Sequence, residues 1–260
     1  MDNATFKQHA SDLAILIEGL THRQVDPALA RLRAEEQWEL MGVALITAQE
    51  VPARAMIDCL LQNGQFGELV PCACFRRQLR QATLLGSGAL GAGVFRDFDQ
   101  DEGGPGVPEH IMAEAEDIAA AAASRRATAS VQSANVDRDA LRTMVVMRLS
   151  EKLLTDRAAV EALITIALAS AFEDTRREAA MKVANARRLV AALAKAARIA
   201  DLIGVAQNTS LTSAKQNVAA AMAADFERWR TEGNQAALAF IAENHADLGM
   251  REAAKAALGG

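Results

Sequence analysis

No tyrosine occurs anywhere in the 260 residues, and aromatic side chains of every kind make up only 4% of the chain. A β-sandwich or an α/β enzyme of this length carries more aromatic and β-branched residues, which suit a pleated surface. Cysteine is also scarce. Three thiols, an odd number, do not make a disulfide framework, which points to a reduced, cytoplasmic setting. Long apolar runs are missing: no stretch approaches the roughly 20 residues needed to span a bilayer. The opening Met1-Asp2-Asn3 lacks the basic n-region of a secretory signal. Nor is there an excess of positive charge. A formal net charge of −5 argues against a general nucleic-acid binder, although it leaves room for a local basic face.

What the chain does have is alanine, leucine, arginine and glutamate, residues that lose little side-chain freedom in a helix. Half of all residues are hydrophobic (51%), with alanine supplying a large part of them. The expectation is an all-α protein with more than about 65% helix and no sheet, against a usual third.

Periodicity places the helices. Leu13, Leu16, Ile17 and Leu20 form one apolar stripe. In "QVDPALARLRAEEQW", Asp26 is expected as an N-cap with Pro27 at the first helical position. Further helices are expected over 38–48, 52–62 and 66–85. Beyond the stretch "GSGALGAG" (86–93) and the acidic, glycine- and proline-rich "RDFDQDEGGPGVPEH" (96–110), a long helix starts near Pro108. Another is capped by Asp137 or Asp139, and others cover 156–170, 173–198, 198–208, 211–230, 234–245 and the segment ending at Leu258-Gly259. This divides the chain into an N-terminal helical array (1–96), a hinge or insertion (97–110) and a C-terminal array (111–260).

Self-similarity sharpens the C-terminal part. "ALITIALASAFEDTRREAAMKV" (162–183) is echoed by "LIGVAQNTSLTSAKQNVAAAM" (202–222) and by "LAFIAENHADLGMREAAKAAL" (238–258). The doublets Ile166-Ala167, Val205-Ala206 and Ile241-Ala242 anchor the echoes, and Arg177-Glu178-Ala179-Ala180 recurs as Arg251-Glu252-Ala253-Ala254. Each unit reads as an apolar helix, a polar turn and a second helix that opens with a basic residue and carries alanines inward.

In this pattern the sequence resembles the HEAT and armadillo family of α-solenoids. Asp247, Met250, Arg251 and Ala254 match the family's order of turn acid, branched residue, arginine and small residue. Glu173, Arg177 and Ala180 match with Arg176 at the apolar position, and Glu50, Ala53, Arg54 and Ile57 give an N-terminal match. "ALIT" (44–47) precedes the last of these and recurs at 162–165. The resemblance implies stacked antiparallel helix pairs sharing a continuous core, with an irregular multi-helix bundle as the alternative. It also implies that second helices line the concave face, making Arg176, Lys182, Lys215 and Lys255 candidate partner-binding residues, with Ala180, Ala219 and Ala254 turned into the core.

Motifs that would carry chemistry are incomplete. Asp97, Asp99 and Asp101 alternate like calcium ligands, but Glu102 and Pro108 stand where such a loop needs glycine and glutamate. "GSGALG" (86–91) fits G-x-G-x-x-G without a strand before it. Cys72-x-Cys74 with Cys59 lacks the second ligand pair of a zinc site. Glu243-x-His245 has the wrong spacing for a helical metal pair, and no serine or cysteine sits in a nucleophile motif. The basic clusters "RRQLR" (76–80), Arg125-Arg126, Arg176-Arg177 and Arg187-Arg188 remain. The leading expectation is a non-catalytic scaffold or adaptor that binds a protein partner, with no cofactor, no metal and no membrane. The alternatives are a nucleic-acid-binding helical-repeat protein with an arginine-rich groove, and a helical enzyme or cofactor binder using the Gly86–Gly93 loop.

Overall fold

The computed structural model describes residues 3–74 and 137–259, with side chains from Lys7 onward. Of the described residues 82% are helical, in 14 α-helices, and no strand occurs among them. They divide into two compact units. One contains 3–63 and 137–141, the other 64–74 and 142–259. The expected boundary at 96–110 lies outside the described residues, and Gly64 to Cys74 pack with the second unit.

The first unit holds α1 (Asn3–Glu18), α2 (His22–Ala34), α3 (Trp38–Thr47) and α4 (Glu50–Gln62). α1 packs on the other three, and α2 and α3 also pack on each other and on α4. Leu16, Val25, Leu32, Met41, Leu45, Met56, Ile57 and Leu60 are fully buried between them. A buried carboxylate pins α1 to α2: Arg31 Nη2 donates to Asp12 Oδ1 at 2.5 Å and Arg31 Nε to Oδ2 at 3.0 Å. Asp12 is 0% exposed, so this pair satisfies a charge that water does not reach. Arg138, at the start of a later helix, donates to the carbonyls of Leu45 (3.3 Å) and Ala48, closing the C-terminal end of α3.

In the second unit a short 3-10 turn (Phe66–Leu69) runs into α5 (Val70–Cys74). There follow α6 (Arg138–Glu151, in this unit from Arg142), α7 (Arg157–Ala169), α8 (Glu173–Asn185), α9 (Arg187–Lys195), α10 (Ile199–Gln207), α11 (Thr212–Ala223), α12 (Phe226–Glu232), α13 (Gln235–Asn244) and α14 (Leu248–Gly259). Packing follows chain order. α7 packs on α5, α8 and α10; α8 on α9, α10 and α11; α9 on α10 and α11. α10 packs on α11 and α13, α11 on α13, and α13 on α12 and α14. The principal contacts from α7 to α14 therefore join helices at most three places apart. Alanine makes these approaches close, and Gly204 makes one closer still: a Cβ there would lie 2.6 Å from Leu168 Cδ2.

Two turns recur. At the ends of α2, α9 and α12 the chain enters the left-handed region at Glu36 (φ 55°), Ala197 (φ 58°) and Gly233 (φ 64°). In each case the next amide bonds back to a buried residue inside the helix: Gln37 to Leu32, Arg198 to Leu193 and Asn234 to Trp229, at 2.9, 3.0 and 2.8 Å. This is the six-to-one bond of a Schellman turn. At the ends of α3, α7 and α13 the cap residues Ala48, Ser170 and His245 are extended, and their amides bond to Ala44, Ile166 and Ile241. These ends align "ALIT" (44–47) with residues 166–169, one helical turn past the recurrence at 162–165.

Several expected boundaries change. α2 begins at His22, not after Asp26, so Pro27 lies inside the helix. Val25, Ala28 and Leu32 are fully buried, and their shared stripe draws the turn before the proline into the helix. Gln24 closes that end by accepting from the Leu20 amide and the Thr21 hydroxyl, both at 3.2 Å. The single helix expected over 173–198 is two pieces, broken at Ala186 and ended at Lys195, so that α9 turns onto α10 and α11. The helix expected over 211–230 breaks at Ala224-Asp225, and Trp229 then buries fully with its indole N–H donating to Met222 O at 2.8 Å. Of the helix expected over 66–85, only the part to Cys74 lies among the described residues. Asp137 and Asp156 do cap their helices, accepting from Ala140 N (2.9 Å) and Ala158 N (2.8 Å).

Candidate functional site

The four residues singled out for partner binding lie on α8, α11 and α14. Arg176 is half-buried and donates to Ser170 O at 2.8 Å, so its guanidinium closes the α7–α8 turn. Lys182 and Lys215 are half-buried on α8 and α11, which pack together. Asn217 on α11 donates to Asn185 on α8 at 3.4 Å, beside those lysines in sequence. Lys255 is exposed on α14 and pairs with Glu252 at 2.9 Å. Behind them Ala180, Ala219 and Ala254 are fully buried. The same helices thus present amines outward and alanine inward.

The arginines differ in what they do. Arg177 pairs with Glu173 one turn back, as Arg54 does with Glu50 at 2.8 Å. Arg187 and Arg188 are exposed at the start of α9. Arg142 stacks over the Phe172 ring at 3.6 Å, and Arg228 over the Trp229 ring at 4.6 Å. "RRQLR" and Arg125-Arg126 lie outside the described residues, as do the Gly86–Gly93 loop and the acidic stretch 96–110.

A cleft that sequence reading did not find opens in the second unit between the α6–α7 turn, α7 and α9. It has a volume of about 500 Å³, and its walls include Leu153, Leu154, Val160, Leu189, Ala192 and Leu193. Arg198 stands at its edge and donates to Glu161 at 2.5 Å and to Asp201 at 2.6 Å. The hydrogen bond to Glu161, then that to Asp201, raises the Arg198 pKa, so the guanidinium is a fixed cation. The cleft was illegible in sequence because its two sides come from 153–161 and 189–198 and meet only through helix packing.

The described histidines and cysteines have the following surroundings. Buried His9 meets Glu35, exposed His22 meets Asp26 at 3.5 Å, and His245 Nδ1 accepts from the Asp247 amide at 3.1 Å. Cys59, Cys72 and Cys74 are buried. Burial pushes the Cys74 thiol up to about 12, with Cys72 adding to the effect, and burial also raises Cys59. A thiol held protonated is neither a nucleophile nor a ready metal ligand. Among the described residues, no three His, Cys, Asp or Glu side chains are grouped to hold a metal ion, and no helix is long and apolar enough to cross a membrane.

Comparison with protein-family models, with curated proteins and with solved structures found no match to this chain.

Proposed function

We propose that this protein is a non-catalytic helical-repeat scaffold of the HEAT and armadillo type, which binds an acidic protein partner across the second helices α8, α11 and α14. The observation that carries this reading is the recurrence of the two turns. A Schellman turn follows α2, α9 and α12, and an extended cap follows α3, α7 and α13. Contacts reaching three helices along, from α7 to α10, α10 to α13 and α8 to α11, fit units of three helices stacked in order. An array of this kind binds through the row of equivalent helices it presents. The amines of Lys182, Lys215 and Lys255 occupy such a row. The nucleic-acid alternative has less support, because Arg176 and Arg177 are engaged by Ser170 O and Glu173.

The test is affinity capture with cross-linking from native cells, comparing the wild-type chain with the Lys182→Glu, Lys215→Glu, Lys255→Glu triple variant. An acidic protein retained by the first and lost by the second, at equal melting temperature, supports the reading. Identical captured sets overturn it.

A further inference from the structure

We propose that the cleft between the α6–α7 turn and α9 is a second docking site, which takes an amphipathic helical segment of a partner protein bearing apolar side chains one turn apart and a carboxylate beside them. The inference rests on the scaffold reading but uses a different surface from the lysine row.

The apolar part is set by the walls. Leu153, Val160 and Leu193 are 8%, 7% and 6% exposed and give the cleft an apolar floor. Leu154, on the turn that borders it, is 68% exposed, and Ala192 on α9 is exposed as well. A large apolar side chain standing in water beside an apolar floor gains by being covered. The space of about 500 Å³ lies within the size range of clefts that bind ligands, roughly 300–1,000 Å³. Its walls are a helix on one side and the start of another, which suits the laying of a helix into a groove.

The charge of the occupant follows from which groups at the rim are already engaged. Asp156 is occupied as the N-cap of α7, accepting from Ala158 N at 2.8 Å and Ala159 N at 3.4 Å. Glu161 is held by Arg198 at 2.5 Å. Arg157 is different. Its side chain is 94% exposed, and the nearest carboxylate oxygen is that same Glu161 Oε1, 4.0 Å away. The rim therefore offers an exposed cation paired only at 4.0 Å, where its two acids are held more closely by other groups. The complement is an acid next to apolar side chains, and the cleft has no aromatic wall on which a base would stack.

The probe is a phage-displayed library of short helical peptides, panned against the full chain. Enriched peptides are expected to carry leucine-like residues one turn apart next to Asp or Glu. In fluorescence anisotropy they should bind the wild-type chain and weaken by at least about tenfold on Ala192→Arg, Leu154→Asp or Arg157→Glu. Arg157→Lys should restore most of the affinity. The three altered positions are exposed, and unchanged melting curves confirm folding for each variant used. The proposal is overturned if nothing enriches, if the enriched peptides lack acids, or if those three substitutions leave binding unchanged. The triple lysine variant should still bind these peptides. If it does while native partners are lost, both surfaces stand. If the peptides fail while the lysine variant still loses native partners, only the cleft proposal falls.

Discussion

α4 of the first unit and α8 of the second open with the same ion pair, Glu50 to Arg54 and Glu173 to Arg177, and bury the same positions counted from their first residues. Met56, Ile57 and Leu60 in α4 stand where Ala179, Ala180 and Val183 stand in α8, and all six are 0% exposed. The pattern of inward positions is shared, and the volume placed there is not. α4 packs on α1, α2 and α3 through large side chains, whereas α8 packs on α7, α10 and α11 with alanine at two of these positions. Smaller contact residues permit a shorter interaxial distance. Inward spacing sets which face is buried, and side-chain size sets how near the next helix comes.

The comparison breaks most visibly at Ala180. Ala180→Glu puts an unpaired charge into a close helix contact, and the second unit is expected to lose its cooperative melting transition in circular dichroism. If this variant melts like the parent, the shared register of α4 and α8 is wrong. Next, exchanging sizes should hurt both units for opposite reasons. Ile57→Ala leaves a cavity and is expected to cost about 2–5 kcal/mol, while Ala180→Ile overpacks and is expected to cost about 1–3 kcal/mol in chemical denaturation.

The recurring Schellman turn gives smaller effects with opposite signs. Gly233→Ala forces a Cβ into the left-handed region and should cost about 1 kcal/mol, whereas Ala197→Gly relieves the same strain and should be neutral or stabilising by under about 1 kcal/mol. Smallest of all, charge reversal at Lys182, Lys215 and Lys255 should change stability by less than about 0.5 kcal/mol each, as read from melting midpoints.

The sequence made the helical class legible, because alanine-rich amphipathic stripes have no competing period. It also offered Asp137 as one of two cap candidates, and that side chain acts within its own turn. The helix breaks at Ala186 and Ala224-Asp225 were illegible for a physical reason: alanine favours continuing a helix, by tenths of a kcal/mol per residue to about 1 against glycine, and only packing of α9 and α12 on later helices overrides it. The short helices α9 and α12 therefore read as fused to their predecessors. Thr21-x-x-Gln24 carries a visible signal for the start of α2, since a glutamine three residues after a threonine suits a helix N-terminus. Of the candidate site, the lysines are reached through the resemblance and the repeat spacing. The cleft could not be read, since Leu154 and Ala192 are neighbours only once α9 has turned back.

The absence of tyrosine has an optical consequence. Fluorescence from this chain comes essentially from two indoles, one in each unit: Trp38, half-buried at the start of α3, and Trp229, fully buried with its N–H held by Met222 O. The two emit from different surroundings, so the colour of their emission distinguishes them without any attached dye. Replacing Trp229 with phenylalanine leaves a chain that reports on the first unit alone, and replacing Trp38 leaves one that reports on the second. The order in which the two units come apart is thus written into the protein's own light.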